Sequence, residues 1–331
     1  MPVIDCHCDT LTRFFYTNQT VPSSLYKNNF HLDLERMGKS QYILQNFAIF
    51  LNLETIKHPM DECLSILDFY YEQLEKYKAY IAPVFSFEDI INHMADGKLS
   101  SMLTIEEGGI LEGKISNLRN LYRLGIRMMT LTWNYDNEIA GPGLFYDEKK
   151  TPNPYKRNPS GGLTPFGFEV IEEMERLGMI IDVSHLSDQG FFDVLTHTQK
   201  PFVASHSNSN TICPICRNLT DEMIKVLGER GGFTGLNFCE DFITPNKSLS
   251  HNPKELQEKL IAHAKHIVNV GGIDVLALGS DFDGIEGNAW LQDASCYPSF
   301  YDALKKSGFT ESDLDKIFYK NVLRVYQEVL K

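Results

Sequence analysis

Residues 1–10, MPVIDCHCDT, place His7 and Asp9 two positions apart at the end of a short apolar run, Val3-Ile4. In a strand, residues i and i+2 project from the same face. An imidazole and a carboxylate leaving a strand tip side by side form a ready pair of metal ligands. A match this short arises readily by chance. It gains weight from four later segments that end in the same kind of residue at the same kind of place.

Outward from that stretch, apolar and β-branched runs recur at 3–6, 42–50, 101–105, 127–132, 179–184, 202–205, 232–238 and 275–279. Between them lie segments of helical period, among them 60–77, 115–124, 164–177 and 253–270. Asp221 and Glu222 open a further helix that runs toward Gly228, while Gly125 and Gly178 close two others. Eight such runs separated by helices predict a parallel sheet covered on both faces, and with eight repeats a closed (β/α)8 barrel. An open doubly wound sheet is the alternative, but no GxGxxG follows an early strand. One domain is expected over 1–331. Within it, residues 134–162 are rich in proline and glycine and follow the fourth strand, which suggests a lid over the site.

Composition narrows the function classes. The chain has 331 residues, is 43% hydrophobic and 23% charged, and carries a formal net charge of −13. With no Lys/Arg-rich run, that charge argues against nucleic-acid binding. No apolar stretch approaches the ~18 residues of a membrane span, and no basic, then apolar leader opens the chain. A cytoplasmic protein without a membrane partner is therefore expected. Seven cysteines are an odd number and do not form a small disulfide framework. Cys6 and Cys8 flank His7 as packing residues. Cys213 and Cys216 have CxxC spacing but lack the second CxxC of a tetrahedral zinc site.

The strand ends carry the chemistry. The first ends in His7 and Asp9, the third (MLTIEEGG) in Glu106 and Glu107, and the fifth (IIDVSHLS) in His185. The sixth (FVASHS) ends in His206, and the eighth (LALGSDFDG) in Asp281 and Asp283. In a parallel barrel all of these ends meet at one face, where barrel active sites sit. Any one of these histidines, taken alone, is better read as a hydrogen-bonded structural residue. Together they exceed the three protein ligands of a single catalytic zinc and suit two ions bridged by a carboxylate, ~3.5–4 Å apart. The all-N/O set fits zinc, and equally manganese, cobalt or iron. His31, His58, His93, His197, His251, His263 and His266 fall in helices or loops and are expected to be structural.

The segments DCHCDT, LTIEEGG, YRLGIRMMTLTWN, GMIIDVSHLS, PFVASHSNS, CRNLTDEM, LGSDFDG and KNVLRVY span almost the whole chain. In this order they resemble the renal-dipeptidase family (membrane dipeptidase, peptidase M19) in its soluble bacterial form. The resemblance implies a metal-dependent hydrolase barrel that cleaves dipeptides, often with a D-residue on the C-terminal side, through a hydroxide bridging two zinc ions. It implies His7 and Asp9 as ligands of one zinc, His185 and His206 as ligands of the other, and Glu106 as the bridge, with Glu107 its rival. Asp281 would hold and deprotonate the bridging water, and Arg217 would bind the dipeptide's free carboxylate with Asn218 beside it. Trp133 stands where the mammalian enzymes carry a substrate-contacting histidine, so their substrate preferences do not transfer directly. Family members are often dimers, which leaves a homodimer open. The rival reading is another binuclear amidohydrolase acting on a non-peptide or cyclic amide. Such enzymes commonly begin with HxH and several use a modified lysine on the fourth strand. Here the chain has His7-x-Asp9, and that strand ends in TLTWN.

Overall fold

The computed structural model describes residues 1–18, 24–246 and 251–331. Among these residues the strands are β1 (Val3–Asp5), β2 (Tyr42–Phe50), β3 (Ile81–Pro83), β4 (Leu99–Glu106), β5 (Ile126–Thr130) and β6 (Leu144–Tyr146). They continue with β7 (Pro152–Arg157), β8 (Ile180–Asp182), β9 (Val203–Ala204), β10 (Phe233–Leu236) and β11 (Leu276–Leu278). Eight pair in parallel in the order β1-β2-β4-β5-β8-β9-β10-β11. Single backbone bonds then bring the two ends together: Cys6 N–H donates to Leu278 C=O at 2.9 Å and Asp9 N–H to Phe282 C=O at 2.9 Å. The result is a nearly closed barrel of eight parallel strands. Each ring strand overlaps one of the eight predicted runs.

Three strands were not legible in advance. β3 is three residues long and pairs only with the start of β4, too short to show a period of its own. Inside 134–162, β6 and β7 form an antiparallel two-stranded sheet in place of irregular chain. Pro152 and Pro154 fall within β7, which hides the strand pattern.

Helices cover the outside, and their boundaries follow local chemistry. Thr220 caps the helix Asp221–Glu229 by accepting from Met223 N–H, and Gly178 ends the helix Pro165–Leu177 at φ +82°, a conformation glycine takes without steric cost. Period-two alternation divides the sheet's buried side chains into two sets. Ile4, Leu44, Met102, Met128, Ile180, Val203, Phe233 and Ala277, one from each ring strand, pack with Val322, Val325, Tyr326 and Val329 of the helix Asn321–Val329. Their neighbours, such as Leu103, Ile105, Met129, Ile181 and Leu278, pack into a larger cluster with the covering helices. Among the described residues no helix is long and apolar enough to cross a membrane.

Candidate metal centre

Six of the predicted residues converge. Glu106 is the hinge of the group. Its Oε2 lies 3.3 Å from His7 Nε2, while its Oε1 lies 3.1 Å from His185 Nε2 and 3.5 Å from His206 Nε2. His7 Nε2 is also 3.8 Å from Asp9 Oδ2 and 3.9 Å from Asp281 Oδ1. His185 and His206 face each other through their Nε2 atoms at 3.2 Å. All six residues are buried.

Residues just outside this group aim it. His185 Nδ1 meets Asn134 Oδ1 at 2.9 Å, and His206 Nδ1 meets Ser205 Oγ at 2.7 Å, which turns both Nε2 atoms inward. Asn237 Nδ2 donates to Asp281 Oδ2 at 2.9 Å. His185 and Asp281 hold left-handed backbone, at φ +67° and +64°. Such conformations are strained in non-glycine residues and persist where the surroundings hold them.

The electrostatics are those of a cluster short of positive charge. Burial pushes the Glu106 carboxyl up to about 7, with Asp9 and Asp281 adding to it and His7 opposing. Burial likewise raises Asp281 to about 6. His7 is raised despite its burial, because Glu106 and Asp9 surround it, whereas burial drives His185 and His206 well down. Meanwhile both ring nitrogens of His7, and Asp9 Oδ1, are buried without a hydrogen-bond partner. Nitrogen lone pairs and carboxylate oxygens converging with unmet bonding capacity are what divalent cations satisfy, so the donor set fits metal ions. Two groupings bring three donor atoms within reach of one ion, His7, Glu106 and His206, and His7, Asp9 and Asp281. Because both draw on His7 they are alternatives rather than two separate sites.

The remaining predicted residues divide. Arg217 sits against the cluster, donating from Nη1 to Ser207 Oγ and from Nη2 to His206 C=O, both at 2.9 Å, while its buried Nε–H finds no acceptor. Trp133 lines the cavity, edge-on to Phe50 at 5.0 Å and 6.2 Å from His185. Asn218 is turned to the protein instead: its amide donates to Cys213 C=O and Phe242 C=O, and its Oδ1 accepts from Asn208 N–H. Glu107 is also turned away, accepting from Gly109 N–H, Trp133 N–H and the Asn137 amide. Asp283 accepts from the Thr10 hydroxyl and His31 N–H.

A cavity of about 650 Å³ opens over the cluster, walled by Thr12, Arg13, Phe50 and Trp133 on one side and by residues 239–242 and 283–287 elsewhere. From 134–162 the described lining includes Asn134 alone. That segment bonds to the loops beside the ligands, with Gly143 N–H donating to His185 C=O and Cys216 N–H to Pro154 C=O. Sequence reasoning also passed over Gly284. A Cβ there would collide with Asp9 Oδ2 and stand 2.6 Å from Asp281 Oδ1, so the motif's terminal glycine makes room for the carboxylates.

The sequence profile of the membrane dipeptidase family, Peptidase family M19, matches residues 1–331. The chain belongs to that family. Among curated proteins, this dipeptidase-family chain is 30% identical over 311 residues to a Schizosaccharomyces pombe protein described as an uncharacterized dipeptidase, covering 90% of the chain and 72% of the relative. It is 34% identical over 245 residues to a Klebsiella pneumoniae protein of the pqqA 5′ region, covering 74% and 87% respectively. Its fold is similar to a Rhodobacter sphaeroides metallopeptidase solved with a phosphinate mimic of the dipeptide L-Ala-D-Ala, at TM-score 0.87, 22% identity and 99% of both chains. It is also similar to an M19 dipeptidase at TM-score 0.88 and 24% identity, covering 100% and 99%. Membership makes the chain one of a family of metal-dependent peptide hydrolases.

Proposed function

We propose that this family member hydrolyses the peptide bond of dipeptides, including those with a C-terminal D-residue, using two divalent ions, zinc foremost. The observation that carries the reading is Glu106, whose two oxygens face separate nitrogen sets across one mouth. His7 and Asp9 would hold one ion, His185 and His206 the other, with Glu106 shared. Ions bound there supply a water acidified toward neutral pH and polarise the substrate carbonyl.

The chain's own groups do the rest. Asp281, fixed by Asn237 and open to the cavity, takes the proton of the attacking water and returns it to the leaving amine. Arg217 offers its free Nε–H and remaining donors to the substrate carboxylate, a task suited to a planar fork. Requiring that carboxylate close to the scissile bond favours dipeptides over longer chains. Trp133 and Phe50 form an apolar wall against which a substrate side chain packs. Asn218 buttresses the Arg217 turn and does not touch substrate. Residues 1–331 act as one domain, with 134–162 bracing the loops that carry His185 and Arg217.

The test is release of free amino acids from L-Ala-D-Ala by zinc-loaded and chelator-stripped protein side by side. Hydrolysis that disappears on stripping and returns with zinc supports the reading. A fully metallated protein that leaves dipeptides intact but opens a cyclic amide transfers the site to the rival class.

A further inference from the structure

Two buried carboxylates outside the six-residue cluster share one bonding pattern. Asp5 Oδ1 accepts from His7 N–H at 3.3 Å and Ser280 N–H at 2.9 Å, and its Oδ2 accepts from Ser280 Oγ at 2.6 Å and Tyr297 OH at 2.9 Å. Asp182 Oδ1 accepts from Ser184 N–H at 3.0 Å and Ser205 N–H at 2.8 Å, and its Oδ2 accepts from Ser205 Oγ at 2.5 Å and Thr130 Oγ1 at 2.6 Å. In each case one oxygen takes the N–H two residues ahead and the N–H of a serine at the end of the neighbouring strand. The other oxygen takes that serine's hydroxyl and one more hydroxyl from a third element. All of these groups except the outer hydroxyls belong to strand ends beside the metal centre. Asp5 and Asp182 are fully buried.

We propose that Asp5 and Asp182 are matched positioning residues, each setting one half of the metal-ligand cluster independently of the other. The proposal rests on the two-ion reading above. Chain order supports it: Ser280 precedes Asp281, and Ser184 precedes His185, the two cluster residues with left-handed backbone. Ser205 precedes His206 and its hydroxyl meets His206 Nδ1 at 2.7 Å. A strained conformation persists only where neighbouring bonds hold it, and these carboxylates supply those bonds directly ahead of the strained residue. Asp5 thus governs His7 and Asp281, which face the same space at 3.9 Å, while Asp182 governs His185 and His206, which face each other at 3.2 Å. The two sets share no residue and β1 and β8 lie four strands apart in the ring, and they meet where the His7 ring stacks on His206 at 3.8 Å. Glu106 is the one ligand common to both halves, and neither carboxylate bonds to it among the described residues.

Ser205→Ala and Ser280→Ala test this: each removes one hydroxyl from one carboxylate and keeps that carboxylate's backbone N–H bonds. Ser205→Ala also removes the His206 Nδ1 partner, and Ser280→Ala the acceptor of Phe282 N–H. Asp182→Asn and Asp5→Asn, which keep both serines, separate the carboxylate's part and are the stronger variants. Zinc retained per chain is measured against graded chelator, with the melting temperature of each metal-free variant recorded alongside. Wild-type protein is expected to release two ions. Ser205→Ala should weaken one ion ~10–100-fold and leave the other at wild-type affinity, as loss of an outer partner of a ligand does. Ser280→Ala should weaken chiefly the other ion, and the double variant should weaken both, with a departure from additivity that measures their coupling through Glu106. Metal-free melting temperatures should stay near wild type for the serine variants, which a general loss of fold would not allow. With cobalt in place of zinc, the absorption bands of the two single variants should differ. Folded variants that keep both ions at wild-type affinity overturn the proposal, as does a single serine variant that weakens both ions equally. Wild-type protein that takes up no ion instead overturns the metal reading on which this rests.

Discussion

The two ends of the barrel are built from the same eight strands and solve opposite problems. At the closed end, one apolar side chain from each ring strand meets the helix Asn321–Val329, and the layer is buried to a few per cent or less. At the mouth, a few residues further along, the strands deliver imidazoles and carboxylates, four of them (Glu107, His185, Asp281 and Asp283) on left-handed backbone, and some, His7 and Asp9, with unpaired polar atoms. One end lowers the free energy of the fold by removing apolar area from water, ~25 cal/mol per Å². The other raises it, because buried polar atoms lacking partners are costly. Function therefore sits on strand ends whose geometry is held by a core built elsewhere, and by outer partners such as Asn134, Asn237, Asp5 and Asp182.

This contrast implies that the ends can be damaged separately. The largest effect is expected at the mouth: Asp281→Asn should lower kcat on L-Ala-D-Ala by ~10²–10⁴-fold while both ions stay bound, a size typical of losing a positioned acid–base group. Near-normal turnover in a metal-loaded variant would remove Asp281 from its assigned place. Gly284→Ala attacks the same end by volume alone, displacing the Asp9 and Asp281 carboxylates. It should cut metal uptake and hydrolysis together while the thermal unfolding of the metal-free protein barely moves. If metal uptake is unchanged, the close approach at Gly284 has no bearing on the centre.

At the closed end the expected pattern reverses. Phe233→Ala, in the apolar layer, should cost ~3–5 kcal/mol of unfolding free energy by denaturant titration. Its zinc affinity at a temperature where it remains folded should match wild type. Loss of metal binding from that distance would mean that the two ends are coupled.

The smallest effect comes from the support behind the mouth. His263 Nδ1 accepts from Ser209 N–H at 3.1 Å and its Nε2 meets Ile243 C=O at 3.0 Å, so the neutral ring satisfies both neighbours. Burial pushes its pKa down to about 4, while an unfolded chain would take up the proton near pH ~6.5. The stability that the neutral ring contributes is thus complete above pH ~6.5 and is lost progressively as pH falls toward 4, by on the order of 3 kcal/mol. Urea midpoints measured across that range should decline in wild type, and the decline should be shallower in His263→Gln. Equal slopes in the two proteins would show that His263 does not contribute to acid sensitivity.

How legible the site was varied with how local its physics is. His7, Asp9, Glu106, His185, His206 and Asp281 end recognisable apolar runs, and the parallel barrel rule then places them at one face. The resemblance already favoured Glu106 over Glu107, and the structure gives the physical reason, since Glu107 is turned onto Gly109 N–H, Trp133 N–H and the Asn137 amide. Asn218 follows Arg217 in the chain, yet its amide is drawn to two backbone carbonyls that come from 213 and 242. Asn134 and Asn237 gave no signal, since each acts on a ligand dozens of residues away.

Periodicity and strand-end chemistry, both carried by residues a few positions apart, pointed to the barrel and the ligand types, and the order of the motifs along the chain carried the family resemblance. The tertiary structure alone decided which Glu106 oxygen faces which imidazole, how Asp5 and Asp182 grip their serines, and why Gly284 must lack a side chain. Those are contacts between strands that are remote in sequence, and their distances arise only when the ring of strands comes together.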